Sequence, residues 1–260
     1  MTPAPVPVAN DTVIIPSKSG STLRALLIHG TQGAGAVLLL HGVGADRSSM
    51  LGRVKFLTAL GFTVLAPDFQ AHGESPGKHV TYGARESLDA ESAVSYLREV
   101  APGERVGVIG VSMGGAAALL GPGPVDANAF VLESVYPTIR DAVSDRLETW
   151  FYPFGAVGRS LAPAVINVIG PNVGVTEAEL QPIDRVGLVR APIFFLAGDA
   201  DSYTPLGEAE SLYARATAPK SYWWVTGAGH EDLHAFATVE YERRVGAFLQ
   251  QNLRISAASH

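Results

Sequence analysis

An α/β fold built on a mostly parallel sheet is predicted by three features of the sequence. Short, nearly continuous apolar runs recur along the chain, helical apolar periods separate most of them, and the runs end in turns rich in glycine and polar residues. A run that is apolar at every position suits a strand buried on both faces, as in a parallel sheet covered by helices. With 260 residues, 47% of them hydrophobic and 17% charged, the chain can bury a sizeable core.

Eight strands are expected, in order. DTVIIP (11–16) and STLRALLIHG (21–30) are joined by a turn at Lys18-Ser19-Gly20. AVLLLHG (36–42), GFTVLAPD (61–68), RVGVIG (105–110), NAFVLES (128–134), APIFFLAGD (191–199) and KSYWWVTGAG (220–229) follow. Leu206, Ala209, Leu212, Tyr213 and Ala216 keep a helical period, as do Leu233, Phe236, Ala237, Tyr241, Val245, Phe248 and Leu249. Between Ser134 and Pro192 no strand is expected. There Ile139, Val143, Leu147, Trp150 and Phe151 form an apolar helical stripe, and Thr176 to Glu179 fits a capping box. A long insertion at the carboxyl end of a strand tends to cover a site. Residues 136–184 are therefore expected to form a small helical cap on a single domain spanning 1–260, the plainer alternative being two ordinary packing helices. In the cap, Trp150 and Phe154 are the expected substrate-binding residues. The cluster Trp150-Phe151-Tyr152-Pro153-Phe154 is expected to pack into a core rather than to anchor the protein on a membrane.

Composition narrows the function. The formal net charge of −6 is spread without a long basic run, which argues against a nucleic-acid partner. There is no cysteine, and so no disulfide framework and no thiolate nucleophile or ligand. The start MTPAPVPVANDT lacks the basic and apolar regions of a secretory signal and reads as a frayed, proline-rich lead-in. No apolar run approaches the roughly 20 residues needed to span a bilayer. A cytoplasmic protein without stable membrane insertion is expected.

The chemistry centres on Gly110-Val111-Ser112-Met113-Gly114, which fits G-x-S-x-G between an apolar strand and an alanine-rich helix. A nucleophile at that junction needs a sharp turn that lifts its hydroxyl off the sheet. Flanking glycines let neighbouring backbone approach, and the first N–H groups of the helix point at any anion that forms there. A serine hydroxyl also needs a base. Of the seven histidines, His230 in VTGAGHEDL follows the last expected strand, where a base should stand. His234, one helical turn on, reads as a helix-surface residue. The orienting acid is open at this point among Asp199, Asp201 and Glu133, with an Asx turn as the alternative role for one of the two aspartates.

LLLHGVG, VLAPDFQAHGES, GVSMGG, APIFFLAGDADSYTP and GAGH, taken in order, resemble the α/β-hydrolase superfamily, and the resemblance runs from about residue 12 to 252. It implies the α/β-hydrolase fold, with a mostly parallel eight-stranded sheet carrying helices on both faces. Within Gly198-Asp199-Ala200-Asp201, followed by Pro205, it points to Asp201 as the acid. It makes the backbone N–H groups of Val43 and Met113 an oxyanion hole and leaves His41 as scaffold. Gln70-Ala71 departs from the commoner Arg-Gly of the turn that holds Asp68, His72 and Ser75, residues the resemblance casts as loop-fixing. It also implies a short-capped, esterase-like branch with no metal and no organic cofactor, acting on a small-molecule ester through Ser112, Asp201 and His230, with short to medium acyl chains favoured. Thioesterase, amidase, peptidase or acyltransferase chemistry would use the same residues. An interfacial lipase and a non-enzymatic binding protein are the readings from other classes.

Overall fold

A computed structural model describes residues 10–255; the lead-in at 1–9 lies outside the described residues. The eight expected strands form one sheet: β1 (Asn10–Pro16), β2 (Thr22–Ile28), β3 (Ala36–Leu40), β4 (Thr63–Pro67), β5 (Val106–Val111), β6 (Ala129–Glu133), β7 (Ile193–Gly198) and β8 (Lys220–Val225). Their spatial order is β1-β2-β4-β3-β5-β6-β7-β8. β2 runs antiparallel to both of its neighbours, and every pair from β4 to β8 is parallel. The six contiguous parallel strands, β4-β3-β5-β6-β7-β8, therefore end together on one edge of the sheet, which gathers their carboxyl-end loops.

The strand pleat sorts side chains into two cores, since successive residues point to opposite faces. On β3, Ala36, Leu38 and Leu40 join one apolar cluster, while Val37 and Leu39 join the other. The first cluster lies beneath α2 (Ala84–Val100), α3 (Met113–Leu119) and α7 (Leu206–Arg215), which contribute Val94, Leu97, Ala117 and Leu212. The second lies beneath α1 (Leu51–Ala59) and α9 (Thr238–Leu253), which contribute Val54, Leu57, Val245 and Leu249. Helices on both faces explain why the central strands are apolar throughout rather than alternating.

Between β6 and β7 the chain forms α4 (Ile139–Trp150), α5 (Gly155–Val173) and the short α6 (Pro182–Arg185). α4 starts sharply because the Thr138 side chain accepts the Asp141 N–H at 3.1 Å. The capping box holds: Glu179 accepts from both the backbone N–H and the hydroxyl of Thr176. α4 and α5 pack chiefly on each other. The expected burial of the aromatic cluster does not occur. Trp150 is 66% exposed, Tyr152 85% and Phe154 70%. The cluster stands at the turn between two antiparallel helices, beyond the reach of the sheet, so no core lies beneath it.

Candidate active site

Ser112 stands between β5 and α3 with φ 50° and ψ −116°. A left-handed φ on a non-glycine residue is strained and persists only when its surroundings fix it. Here the Ser112 N–H donates to Glu133 O at 2.7 Å, and its carbonyl accepts the Ala116 N–H at 3.1 Å. The glycines of the motif allow two close approaches. A Cβ on Gly110 would lie 2.5 Å from Gly115 Cα, and one on Gly114 would lie 2.2 Å from the Leu40 carbonyl oxygen. Any side chain at 114 would therefore push the elbow off the end of β3.

The loop after β3 runs beside the elbow. His41 is fully buried, with Nε2 accepting the Phe69 N–H at 3.1 Å and Nδ1 2.8 Å from Gly42 O. That pairing fixes the neutral tautomer with the proton on Nδ1, and burial pushes its pKa down to about 4. His41 is thus occupied in holding the loop. Val43 and Met113 both line an apolar cavity of about 170 Å³ together with Ser112. Among the described residues, neither Val43 N–H nor Met113 N–H finds a protein acceptor. The turn after β4 is tied as expected. Asp68 accepts from the Arg47 and Glu74 backbone N–H groups at 2.7 and 2.9 Å, and Ser75 Oγ donates to Asp68 O at 2.7 Å.

On the far side, Asp201 and His230 meet. His230 Nδ1 lies 2.8 Å from Asp201 Oδ2, while Asp201 Oδ1 accepts the N–H groups of Tyr203 and Thr204, both at 2.8 Å. The carboxylate is buried and spoken for at both oxygens. Gly198 makes the meeting possible: a Cβ there would fall 2.1 Å from the Ala228 carbonyl oxygen, so only glycine lets the loops after β7 and β8 touch. Asp199 instead accepts the Gly227 N–H at 2.7 Å, a turn contact between the same loops. Glu133 is taken elsewhere. It is buried with Arg53 at 2.7 Å and receives the Tyr241 hydroxyl, and Arg53 also reaches Asp232 at 2.8 Å, two residues beyond His230. His234 is not the surface residue expected. It is buried, stacks on Phe56 and pairs through Nε2 with Glu242 at 3.0 Å, because α8 (Leu233–Phe236) turns it inward against α1.

Two cavities flank the serine and share Val43, Ser112, Arg146 and Tyr203. The apolar one runs under the cap helices and is lined by Leu147, Trp150, Ile166 and Ile169 among others. The second, about 370 Å³, holds Ser112, Ser134 and His230. Of the two residues expected to bind substrate, Trp150 lines the apolar cavity, whereas Phe154 lines neither cavity and is exposed at the start of α5. Two residues were not foreseen. Tyr203 stands edge-on to the His230 ring at 5.7 Å between centroids, and the Arg146 guanidinium lies 4.6 Å above the Tyr203 ring. A signal for Arg146 was present: Ile139, Ala142, Val143, Leu147 and Trp150 line the same cavity from the same helix, so Arg146 is a cation set into an apolar stripe. Among the described residues there is no group of three or more His, Asp or Glu that could hold a metal ion, and no helix long and apolar enough to cross a membrane.

Comparison with known proteins sets this geometry in a family. Over 95% of the chain and 94% of the other, the structure superposes on the Pyrococcus furiosus esterase Pf2001 with a TM-score of 0.76 and 25% sequence identity. An esterase from Exiguobacterium antarcticum shares the fold, with a TM-score of 0.69 at 15% identity over 92% of this chain and all of that one. In sequence, the uncharacterized protein YqkD of Bacillus subtilis is 24% identical over 91% of this chain and 78% of its own length. Alpha/beta hydrolase domain-containing protein 17B of Xenopus laevis is 24% identical over 84% and 67%. A model of the alpha/beta hydrolase family matches residues 37–245, from the third strand to the last helix and across every loop described above, and the chain belongs to that family.

Proposed function

We propose that the protein is a serine hydrolase of carboxylic esters, working through an acyl-enzyme with Ser112 as nucleophile, His230 as base and Asp201 as its orienting acid. The observation that carries this reading is the 2.8 Å contact of His230 Nδ1 with a fully committed Asp201, on a cavity that also contains the strained Ser112. Asp201 holds the Nδ1–H tautomer, which leaves Nε2 free to accept a proton. Ser112 Oγ adds to the acyl carbon as Nε2 takes its hydrogen. The oxyanion is held by the N–H groups of Val43 and Met113, each such donor typically worth about 3 kcal/mol. Collapse expels the alcohol, protonated by His230. Water, deprotonated by the same nitrogen, then releases the acid and restores Ser112.

Residues 136–184 serve as a cap, and the apolar cavity beneath them takes the acyl chain. Leu147, Trp150, Ile166 and Ile169 on its wall favour short to medium chains over small polar acids. The same machinery would turn over thioesters or amides, and a panel of 4-nitrophenyl esters, thioesters and anilides ranks the three. The direct test is labelling by a fluorophosphonate together with hydrolysis of 4-nitrophenyl butyrate. Both are expected in the wild type and absent in a folded Ser112→Ala variant, with turnover falling on the order of a million-fold. A folded Ser112→Ala protein that keeps more than a few per cent of the activity removes Ser112 from the role.

A further inference from the structure

We infer that Arg146 makes a subsite for a carboxylate or phosphate beside the scissile bond, so that the preferred substrates are anionic esters with an apolar acyl segment. This rests on the serine-hydrolase reading of Ser112. Arg146 projects from α4 to the junction of the two cavities and lines both of them with Ser112. The other charged groups on these walls are engaged. Arg53 is bound by Glu133 and Asp232, Glu177 by Arg140, and Glu231 accepts the Gly229 N–H. Arg146 differs: among the described residues no carboxylate lies within 4.0 Å of it and no acceptor takes a hydrogen bond from it. Its one specific contact is the face of Tyr203, which uses the guanidinium plane and leaves the edge donors open.

A half-buried guanidinium loses hydration and is compensated only by an acceptor or by a π face. Here the π face is supplied by the protein, and the acceptor is left for a ligand. The fork of N–H donors matches the two oxygens of a carboxylate or phosphate. The position further restricts the ligand. One cavity offers apolar walls for a chain, the other opens on His230, and Arg146 stands where they join. An anion bound there sits a few atoms from the reacting carbonyl, on either the acyl or the alcohol side.

Matched ester pairs locate it. On the acyl side, 4-nitrophenyl valerate is compared with the 4-nitrophenyl half-ester of glutaric acid. On the alcohol side, the butyryl ester of ethylene glycol is compared with that of 2-hydroxyethyl phosphate. The anionic-to-neutral ratio of kcat/KM is expected to fall at least ten-fold in Arg146→Met for one of the two pairs, and to recover in part in Arg146→Lys, which keeps the charge without the fork. Independently of turnover, glutarate and 2-hydroxyethyl phosphate are titrated calorimetrically into Ser112→Ala and into Ser112→Ala with Arg146→Met. Binding of at least one is expected in the first protein and not in the second. Ratios within two-fold of wild type for both pairs, an equal loss on neutral and anionic esters, or no Arg146-dependent binding overturns the proposal, the equal loss being the mark of a clamp on Tyr203 alone. Should the wild type cleave none of these esters yet bind an anion through Arg146, the hydrolase reading fails and the subsite stands.

Discussion

The strand-end loops and the α4–α5 pair are made of opposite materials. Around Ser112, Asp201 and His230 the loops are tied by directional hydrogen bonds: both Asp201 oxygens, the Asp199 carboxylate and the Ser112 N–H all have partners within the protein. Across α5, from Gly155 to Val173, Arg159 is the one charged residue, and Val157, Leu161 and Val168 face solvent. The loops are fixed by hydrogen bonds whose geometry admits one arrangement. The helix pair is fixed by apolar contact, which is non-directional. On the proposed function, chemistry that needs atoms held to a fraction of an ångström falls to the first, and a pocket that accepts a range of chains lies under the second.

Breaking the hydrogen-bonded region should cost most. Asp201→Asn is expected to lower kcat about 10⁴-fold, since the amide no longer selects the tautomer. Asp199→Asn, which touches only the turn at Gly227, should stay near wild type. Steady-state kinetics on one ester decide the matter, and the reverse ranking would give Asp199 the role. Next comes the buried ion pair beneath the His230 loop. Arg53→Met leaves Glu133 charged and unpaired, and such losses cost about 3–5 kcal/mol. Urea denaturation should show it, and a change under 1 kcal/mol would mean that water replaces the guanidinium.

The junction of the two regions should respond to pH. Glu208 on α7 is buried close to Asp145 on α4, and that burial, together with the neighbouring carboxylate, pushes its pKa from 4.5 up to about 10. The unfolded chain releases this proton above about 4.5, whereas the folded protein holds it until about 10. Its contribution to stability is thus complete below 4.5 and is lost as pH rises toward 10. Tm measured from pH 6 to 9 should fall in the wild type and fall less steeply in Glu208→Gln. Equal slopes would show that the pair opens without cost.

The smallest effect should come from the cap wall. Trp150→Ala enlarges the cavity and is expected to move the chain-length optimum by a carbon or two, each buried CH₂ being worth about 0.8 kcal/mol. Phe154→Ala, outside both cavities, should keep the wild-type profile of kcat/KM against chain length. A shift in Phe154→Ala alone would mean that α5 moves over the site during turnover.

What the sequence disclosed follows the same division. Strand positions and the elbow glycines were legible because each obeys a local rule, an apolar run or a tight turn, and the holding roles of Asp68 and His41 were legible through the resemblance. The inward turn of His234 was not, since it depends on where α8 meets α1. Nor was the exposure of Trp150 through Phe154, because an aromatic run reads the same whether or not a core lies beneath it. Ala71 belongs with these. It adopts φ 58°, a left-handed turn, at the place where the resemblance would put glycine, and only the backbone shows that the turn survived the exchange.

The order of the sheet has a consequence for a chain still on the ribosome. The contacts that hold the Ser112 elbow come from the ends of β3, β5 and β6, whereas β8 is the final strand and His230 lies just past it on the outermost edge. Until His230 has been made, Ser112 lacks the base proposed for it. On the proposed mechanism such a serine is inert toward esters. On that mechanism the last strand to be made is the one that arms the site, and a chain ending before His230 would lack the base.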